Sequence, residues 1–195
     1  MKPAVFIDRD GTINEQMGYI NHPSRFVLLP GVGSAIKLLN ENGFLAIVVT
    51  NQSGVARGYF PIELVENIHS LMKRLLLAVG ARLDAILYCP HYPSGSEREF
   101  AKVCKCRKPD IGLIQKASEL FDIDMANSWV VGDTMSDIEM AHRAGVKGIL
   151  VRTGYGMGEI EYVLPRRGVK PYHISDDLPS AVRFILAEQG IRTCN

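Results

Sequence analysis

The chain reads as an α/β protein built on a doubly wound, mostly parallel sheet, and three observations lead there. Short apolar runs alternate with helical patterns along the length of the chain, the arrangement of consecutive βα units. The run Phe44–Val49 is apolar without interruption, as in strands buried on both faces of a parallel sheet. Polar and acidic residues follow directly on several of these runs, where open α/β sheets gather their ligands.

The elements follow in order. Ala4–Ile7 is the first strand, and Val32–Glu41 a helix that stops near Asn42-Gly43. Phe44–Val49 is the second strand. Pro61, whose ring suits a first helical turn, opens a long helix toward Val79 that ends at Gly80. Asp84–Tyr88 is a third strand, and Pro109-Asp110 begins a helix reaching about Phe121. Ser128–Val131 is a fourth strand, followed by the helix Ser136–Arg143, ended by Gly145. Gly148–Val151 is a fifth strand, and Pro179–Glu188 a last helix stopped by Gly190. Two stretches, Glu15–Leu29 and Pro90–Lys108, fit neither pattern. Long irregular segments in a compact domain usually carry function. No repeat or low-complexity linker divides the chain, so one domain over residues 1–195 is expected.

Bulk properties narrow the function classes. The 195 residues suffice for one domain with a real core. Their composition, 47% hydrophobic and 22% charged, is that of an ordinary globular protein. A formal net charge of +1 and the lack of any basic run beyond Arg166-Arg167 give no electrostatic argument for nucleic acid or an anionic membrane. The longest apolar stretch, Phe44 to Val49, is too short to span a bilayer. The N-terminus lacks the apolar core and cleavage site of a secretory signal. The expected compartment is the cytoplasm, and the expected state a monomer. Four cysteines there are expected to stay reduced; Cys89, Cys104 and Cys106 lie near His91, and Cys194 has no evident partner.

The chemistry concentrates in Asp8-Arg9-Asp10-Gly11-Thr12. Successive strand side chains face opposite ways, so both carboxylates meet one ligand only if the backbone turns, as Gly11 permits. Such a pair could hold a divalent cation, with one Asp as nucleophile and the other as proton carrier; two solvated acids at a strand end are the alternative. The sheet adds Thr50-Asn51-Gln52-Ser53-Gly54 after strand two and Gly132-Asp133 after strand four, while Lys108 precedes a helix. Four separate segments thus deliver acid, hydroxyl, cation and acid to one rim. Taken singly, Thr50 could be a strand-end hydroxyl and Lys108 a solvated charge, although a Lys at a helix start opposes the helix dipole.

This set resembles the haloacid dehalogenase-like phosphatases over residues 4 to about 152. Asp8-Arg9-Asp10-Gly11-Thr12 matches that family's first motif and Thr50, after Ala46-Ile47-Val48-Val49, its second. Lys108 matches the third, and Gly132-Asp133-Thr134-Met135-Ser136-Asp137 the fourth. Within the family the chain is similar to the bacterial heptose 1,7-bisphosphate phosphatases and the related histidinol-phosphate phosphatases. The segments that carry this are Phe6–Asn14, Thr50–Gly58, Cys89-Pro90-His91 and Cys104-Lys105-Cys106-Arg107-Lys108-Pro109. The resemblance implies a haloacid dehalogenase-like fold without a large cap domain and with an open active site. It implies loss of the 7-phosphate of a heptose 1,7-bisphosphate in the supply of nucleotide-activated heptose for surface glycans, with histidinol phosphate as the alternative substrate. The partner is then a small phosphorylated sugar; a non-catalytic phospholigand-binding protein that keeps the fold is the other alternative, and it predicts loss of Asp8 or Asp10, both of which are present.

The roles it implies are specific. Asp8 attacks phosphorus and forms an aspartyl-phosphate, and Asp10 protonates the leaving alcohol and then deprotonates water. Mg²⁺ is held by Asp8, the carbonyl of Asp10, and Asp133. Thr50 and Lys108 stabilise the transferring phosphoryl group. Arg107 can bind phosphate bidentately, Gln16-Met17-Gly18-Tyr19 lies where the family contacts its sugar, and Asn51, Gln52 and Ser53 offer hydrogen bonds to hydroxyls. Loop packing is the other reading of Met17 and Tyr19. Thr134 stands where the heptose enzymes often have Lys, and Asp137 reads equally as a metal neighbour or a first-turn helix acid.

Cys89, His91, Cys104 and Cys106 offer three thiolates and one imidazole, a closed set for a structural zinc. Their spacing differs from that of common zinc fingers and alone leaves the metal open; the resemblance implies zinc in a loop of residues 89–108. The remaining histidines, His22, His69, His142 and His173, have no partner pattern and read as surface or core residues. Trp129 reads as packing.

Overall fold

The structure, a computed structural model, describes residues 1–191; Cys194 lies outside them. Six parallel strands form one sheet in the order β3-β2-β1-β4-β5-β6. β1 (Ala4–Ile7) is central, between β2 (Leu45–Asn51) and β4 (Trp129–Gly132); β3 (Ala85–Cys89) and β5 (Lys147–Val151) flank these, and β6 (His173–Ser175) closes one edge. The first connections lead outward from β1 to β3 and the later ones to the other side. The order therefore reverses between β1 and β4, the switch point at which such sheets bind ligands.

Strand alternation separates two cores. Val5, Ile7, Ala46, Val48, Trp129 and Val131 face α1 (Val32–Glu41), α2 (Ile62–Leu77) and α6 (Leu178–Glu188). Ala4, Phe6, Ile47, Val49 and Val130 face α3 (Gly112–Leu120) and α4 (Met135–Ala144). Every residue of β1 is buried, which anchors Asp8 on a fixed base. Local chemistry sets the helix ends. Thr134 and Asp137 form a reciprocal capping box at the start of α4, and Gly145, at φ 70°, ends it. Asp177 accepts the Ser180 N–H at the start of α6.

Several elements depart from the sequence reading. α3 begins at Gly112 rather than at Pro109-Asp110. The Asp110 N–H donates to the Arg107 carbonyl and the Gly112 N–H to Lys105, so residues 105–112 close a turn before the helix. β2 runs on to Asn51 because Thr50 and Asn51 pair with Tyr88 and Cys89. The short strand β6 was not anticipated. Nor were the helical turns that follow β5: α5 (Gly156–Gly158), a π-helical turn (Glu159–Val163) and a 3-10 turn (Leu164–Arg166). Among the described residues, no helix is long and apolar enough to cross a membrane.

Candidate active site

The carboxyl ends of β1, β2 and β4 open on a cavity of about 300 Å³. Asp8 directly follows β1, its N–H held by the Val131 carbonyl of the neighbouring strand. The chain then turns back on itself: the Arg9 carbonyl accepts the N–H groups of Ile13 and Asn14, and Gly11 sits at φ 87°. A side chain could not replace that hydrogen, since a Cβ on Gly11 would fall 2.1 Å from Asp133 Oδ2. The turn brings both Asp8 and Asp10 to the cavity wall.

Asp8 is the centre of a charge cluster. Lys108 Nζ donates to Asp8 Oδ1 at 2.7 Å, to Asp137 Oδ1 at 2.6 Å and to the Val49 carbonyl at 3.0 Å. Burial alone would discharge the lysine, but Asp137 and Asp8 outweigh it and hold the Lys108 pKa above its ordinary value. Asp137 is therefore the lysine's counter-ion as well as a helix cap. Its Oδ2 accepts the Thr134 hydroxyl at 2.7 Å.

Asp133 is fully buried; its Oδ2 accepts the Tyr155 N–H at 2.8 Å, whereas its Oδ1 has no hydrogen-bond partner. Burial, with Asp8 and Asp137 nearby, raises the Asp133 pKa to about 8, and burial raises that of Asp8 to about 6 against the pull of Lys108. Oxygens of Asp8, Asp133 and Asp137 lie within 4.8 Å of one another. Three buried carboxylates against one lysine, with an orphaned oxygen among them, form a site that fits a hard divalent cation.

Asp10 is held differently. Its carboxylate accepts from Arg9 Nη2 (2.8 Å), Gln52 Nε2 (2.9 Å) and Asn14 Nδ2 (3.0 Å). Burial works to raise its pKa, yet Arg9 and the two amides prevail and lower it, so these donors favour the ionised carboxylate.

Around these groups, Gln16, Gly18, Tyr19, Thr50, Asn51, Ser53, Arg107 and Asp133 also line the cavity. Of the residues expected there from sequence, Met17 and Gln52 do not. Met17 packs against the core, and Gln52 spends its amide on Asp10, Thr50 and Arg9. Residues that the sequence reading did not assign to a site are Tyr155, Ser136 and Arg9. Tyr155 lines the cavity from the loop after β5, where Thr153 Oγ1 ties back to the Gly11 carbonyl at 2.6 Å. Nothing in that loop's composition marks it.

Cys89, His91, Cys104 and Cys106 converge. Cys106 Sγ lies 3.1 Å from Cys89 Sγ, 3.3 Å from Cys104 Sγ and 3.3 Å from His91 Nδ1. The thiols are free. The sulfur spacing is far beyond a disulfide bond and suits a shared metal. The cluster abuts the cavity: Arg107 Nη1 donates to the His91 carbonyl at 3.3 Å, and Asn51 exchanges two hydrogen bonds with the Lys108 backbone. Arg57 and Arg107 both approach the Tyr92 ring, at 3.7 and 5.2 Å from its centroid.

Residues 105–181 match a family model described as HAD-hydrolase-like. A protein of Haemophilus ducreyi named D-glycero-beta-D-manno-heptose-1,7-bisphosphate 7-phosphatase is 46% identical over 155 residues, 78% of this chain and 85% of the relative. One of Thermosynechococcus vestitus, named D-glycero-D-manno-heptose-1,7-bisphosphate 7-phosphatase, is 39% identical over 188 residues, 94% and 95% of the two chains. Among solved structures, the D,D-heptose 1,7-bisphosphate phosphatase of B. bronchiseptica, complexed with magnesium and phosphate, superposes with a TM-score of 0.83 at 32% identity. That match covers 95% of this chain and 99% of the other.

Proposed function

The chain belongs to the family of the D-glycero-D-manno-heptose-1,7-bisphosphate 7-phosphatases, and we propose that it removes the 7-phosphate of that sugar bisphosphate through an aspartyl-phosphate on Asp8. It is a phosphoric monoester hydrolase with a haloacid dehalogenase-like fold. The observation that carries the reading is the meeting of Asp8, Lys108, Thr50, Asp10 and Asp133 on one cavity beside Arg107.

Phosphate monoesters hydrolyse extremely slowly in water, so the protein must supply a very large acceleration. Asp8 Oδ attacks phosphorus, and the bond from phosphorus to the sugar oxygen breaks. Asp10 delivers a proton to that oxygen, so that it leaves as an alcohol. In the second step water attacks the aspartyl-phosphate, Asp10 takes the proton, and phosphate departs with Asp8 regenerated. Lys108, held to Asp8 at 2.7 Å, fixes the nucleophile and offsets charge developing on phosphorus. The Thr50 hydroxyl donates to a phosphoryl oxygen. Arg107, which also lines the cavity, binds the substrate beyond the reacting phosphate.

Mg²⁺ would be held by the carboxylates of Asp8 and Asp133 and the carbonyl of Asp10. Bound there, it supplies the positive charge that lets an anionic carboxylate approach an anionic phosphate. Zn²⁺ would be held by Cys89, His91, Cys104 and Cys106, with no open position for chemistry. Its part is to order a loop that buries little apolar surface of its own.

The alternative, histidinol-phosphate hydrolysis, is not favoured, because the relatives above carry the heptose name. The test is phosphate release by the Mg²⁺-loaded protein from each substrate. The expected kcat/KM is at least about a hundredfold higher for the bisphosphate, the value of roughly 3 kcal/mol of additional charged contacts. Equal or higher efficiency toward histidinol phosphate would overturn the substrate assignment and leave the catalytic groups in place.

A further inference from the structure

Arg9, between the two acidic residues in sequence, is 1% exposed. Its Nε and Nη2 both donate to Asp10, at 3.2 and 2.8 Å, and Nη2 also reaches Gln52 Oε1 at 3.1 Å. The other end of the guanidinium, Nη1, meets His69 Nε2 at 3.1 Å. His69 comes from α2, is 4% exposed and takes no part in the cavity wall.

A guanidinium has only donors, so this contact needs Nε2 as an unprotonated acceptor. The surroundings enforce that state: burial, with the Arg9 charge beside it, pushes the His69 pKa down to about 3, Asp10 opposing and Lys73 adding to the fall. The ring is also fixed from the side. It packs edge-on against Tyr88 with centroids 5.2 Å apart, and the Tyr88 hydroxyl donates to Glu66 on the same helix. Among the described residues, His69 is the one hydrogen-bond partner of Nη1. Without it the planar fork keeps only its bonds to Asp10 and Gln52, and any tilt that the loss of the Nη1 anchor permits shifts both bonds to Asp10 together.

We propose that His69 is a positioning residue for Asp10, acting through Arg9, so that helix α2 sets the direction in which the acid–base carboxyl faces the leaving oxygen. This rests on the acid–base role given to Asp10 above. A small misplacement of a proton donor matters most when the leaving group needs the proton. A sugar alkoxide needs it; p-nitrophenolate does not.

The experiment compares kcat/KM of the Mg²⁺-loaded protein and its variants toward heptose 1,7-bisphosphate and p-nitrophenyl phosphate. In His69→Leu, efficiency should fall at least about tenfold toward the bisphosphate and less than about threefold toward p-nitrophenyl phosphate, because general acid catalysis is worth about 10²–10⁴-fold and is only partly lost. His69→Gln, which returns an acceptor to Arg9, should recover most of the loss. If His69→Leu fails to fold, His69→Phe, which keeps a ring against Tyr88 but no acceptor, carries the same comparison. Equal losses toward both substrates, no loss toward either, or no recovery in His69→Gln would overturn the proposal. Asp10→Asn separates the two levels. If it shows the leaving-group dependence and the His69 variants do not, the inference alone fails. If Asp10→Asn shows none, the acid–base reading fails and takes the inference with it.

Discussion

Asp133 illustrates how much of the site depends on a single buried charge. Its Oδ1 has no hydrogen-bond partner, one of its oxygens lies within 4.8 Å of oxygens of Asp8 and Asp137, and Lys108 is the cation paired with both of those acids. Burial raises the pKa of Asp133 to about 8 and that of Asp8 to about 6, both above the 3.8 of an exposed Asp. A carboxyl that binds its proton more tightly in the folded state stabilises the fold below its unfolded pKa, and that stability is lost as pH rises through the folded pKa. The metal-free protein should therefore lose stability between about pH 4 and 8, and Mg²⁺, which competes with these protons, should return more of it at the alkaline end. Thermal unfolding with and without saturating Mg²⁺ checks this. The metal-induced rise in Tm should be larger at pH 8 than at pH 5.5 by at least about 2–4 °C, the equivalent of about 1 kcal/mol in a chain of this size. An equal or reversed difference would mean that these carboxyls do not bind the ion. Such a charge is visible in sequence as Gly132-Asp133; its lack of a partner is not. Arg9 was equally hidden, because nothing in the sequence around Asp8 and Asp10 shows that α2 folds His69 over the residue between them.

At the scale of elements, the loop of residues 89–108 is a tether with two anchor points. Its cysteine–histidine end holds Arg107 through the His91 carbonyl. Its other end fixes Lys108 without the metal, by two backbone bonds to Asn51 and by the salt bridges of Nζ to Asp8 and Asp137. Losing the proposed zinc should thus affect substrate binding more than chemistry. In Cys106→Ser, assayed with excess Mg²⁺, KM for the bisphosphate should rise about tenfold or more while kcat changes less than about threefold, the signature of lost uniform binding. A collapse of kcat at unchanged KM would show that the loop supports Lys108 instead. The cysteines were legible because their residue types and proximity to Lys108 stand out along the chain. The late start of α3 was not, since its cause is a backbone turn, Gly112 N–H to the Lys105 carbonyl, that leaves no mark on composition.

At the scale of the whole molecule, the reversal of strand order beside β1 explains how residues as distant as Asp8, Thr50, Lys108 and Asp133 reach one cavity. This much could be read in advance, because Phe44–Val49 and its like announce strands buried on both faces, and βα alternation fixes their carboxyl ends on one side. The far edge could not. β6 is only His173–Ser175, with a single buried residue, and such a segment has too few side chains to show a period. Tyr155 was missed for a related reason: it reaches the cavity through the loop after β5, held by Thr153 and Asp133 rather than by a motif. The central claim, that this convergence makes Asp8 a nucleophile toward phosphorus, is tested most directly by Asp8→Asn. Turnover of heptose 1,7-bisphosphate should fall by at least about 10³-fold, while calorimetry with Mg²⁺ still detects binding of the bisphosphate to a folded protein. Turnover within about tenfold of the parent chain would contradict the account.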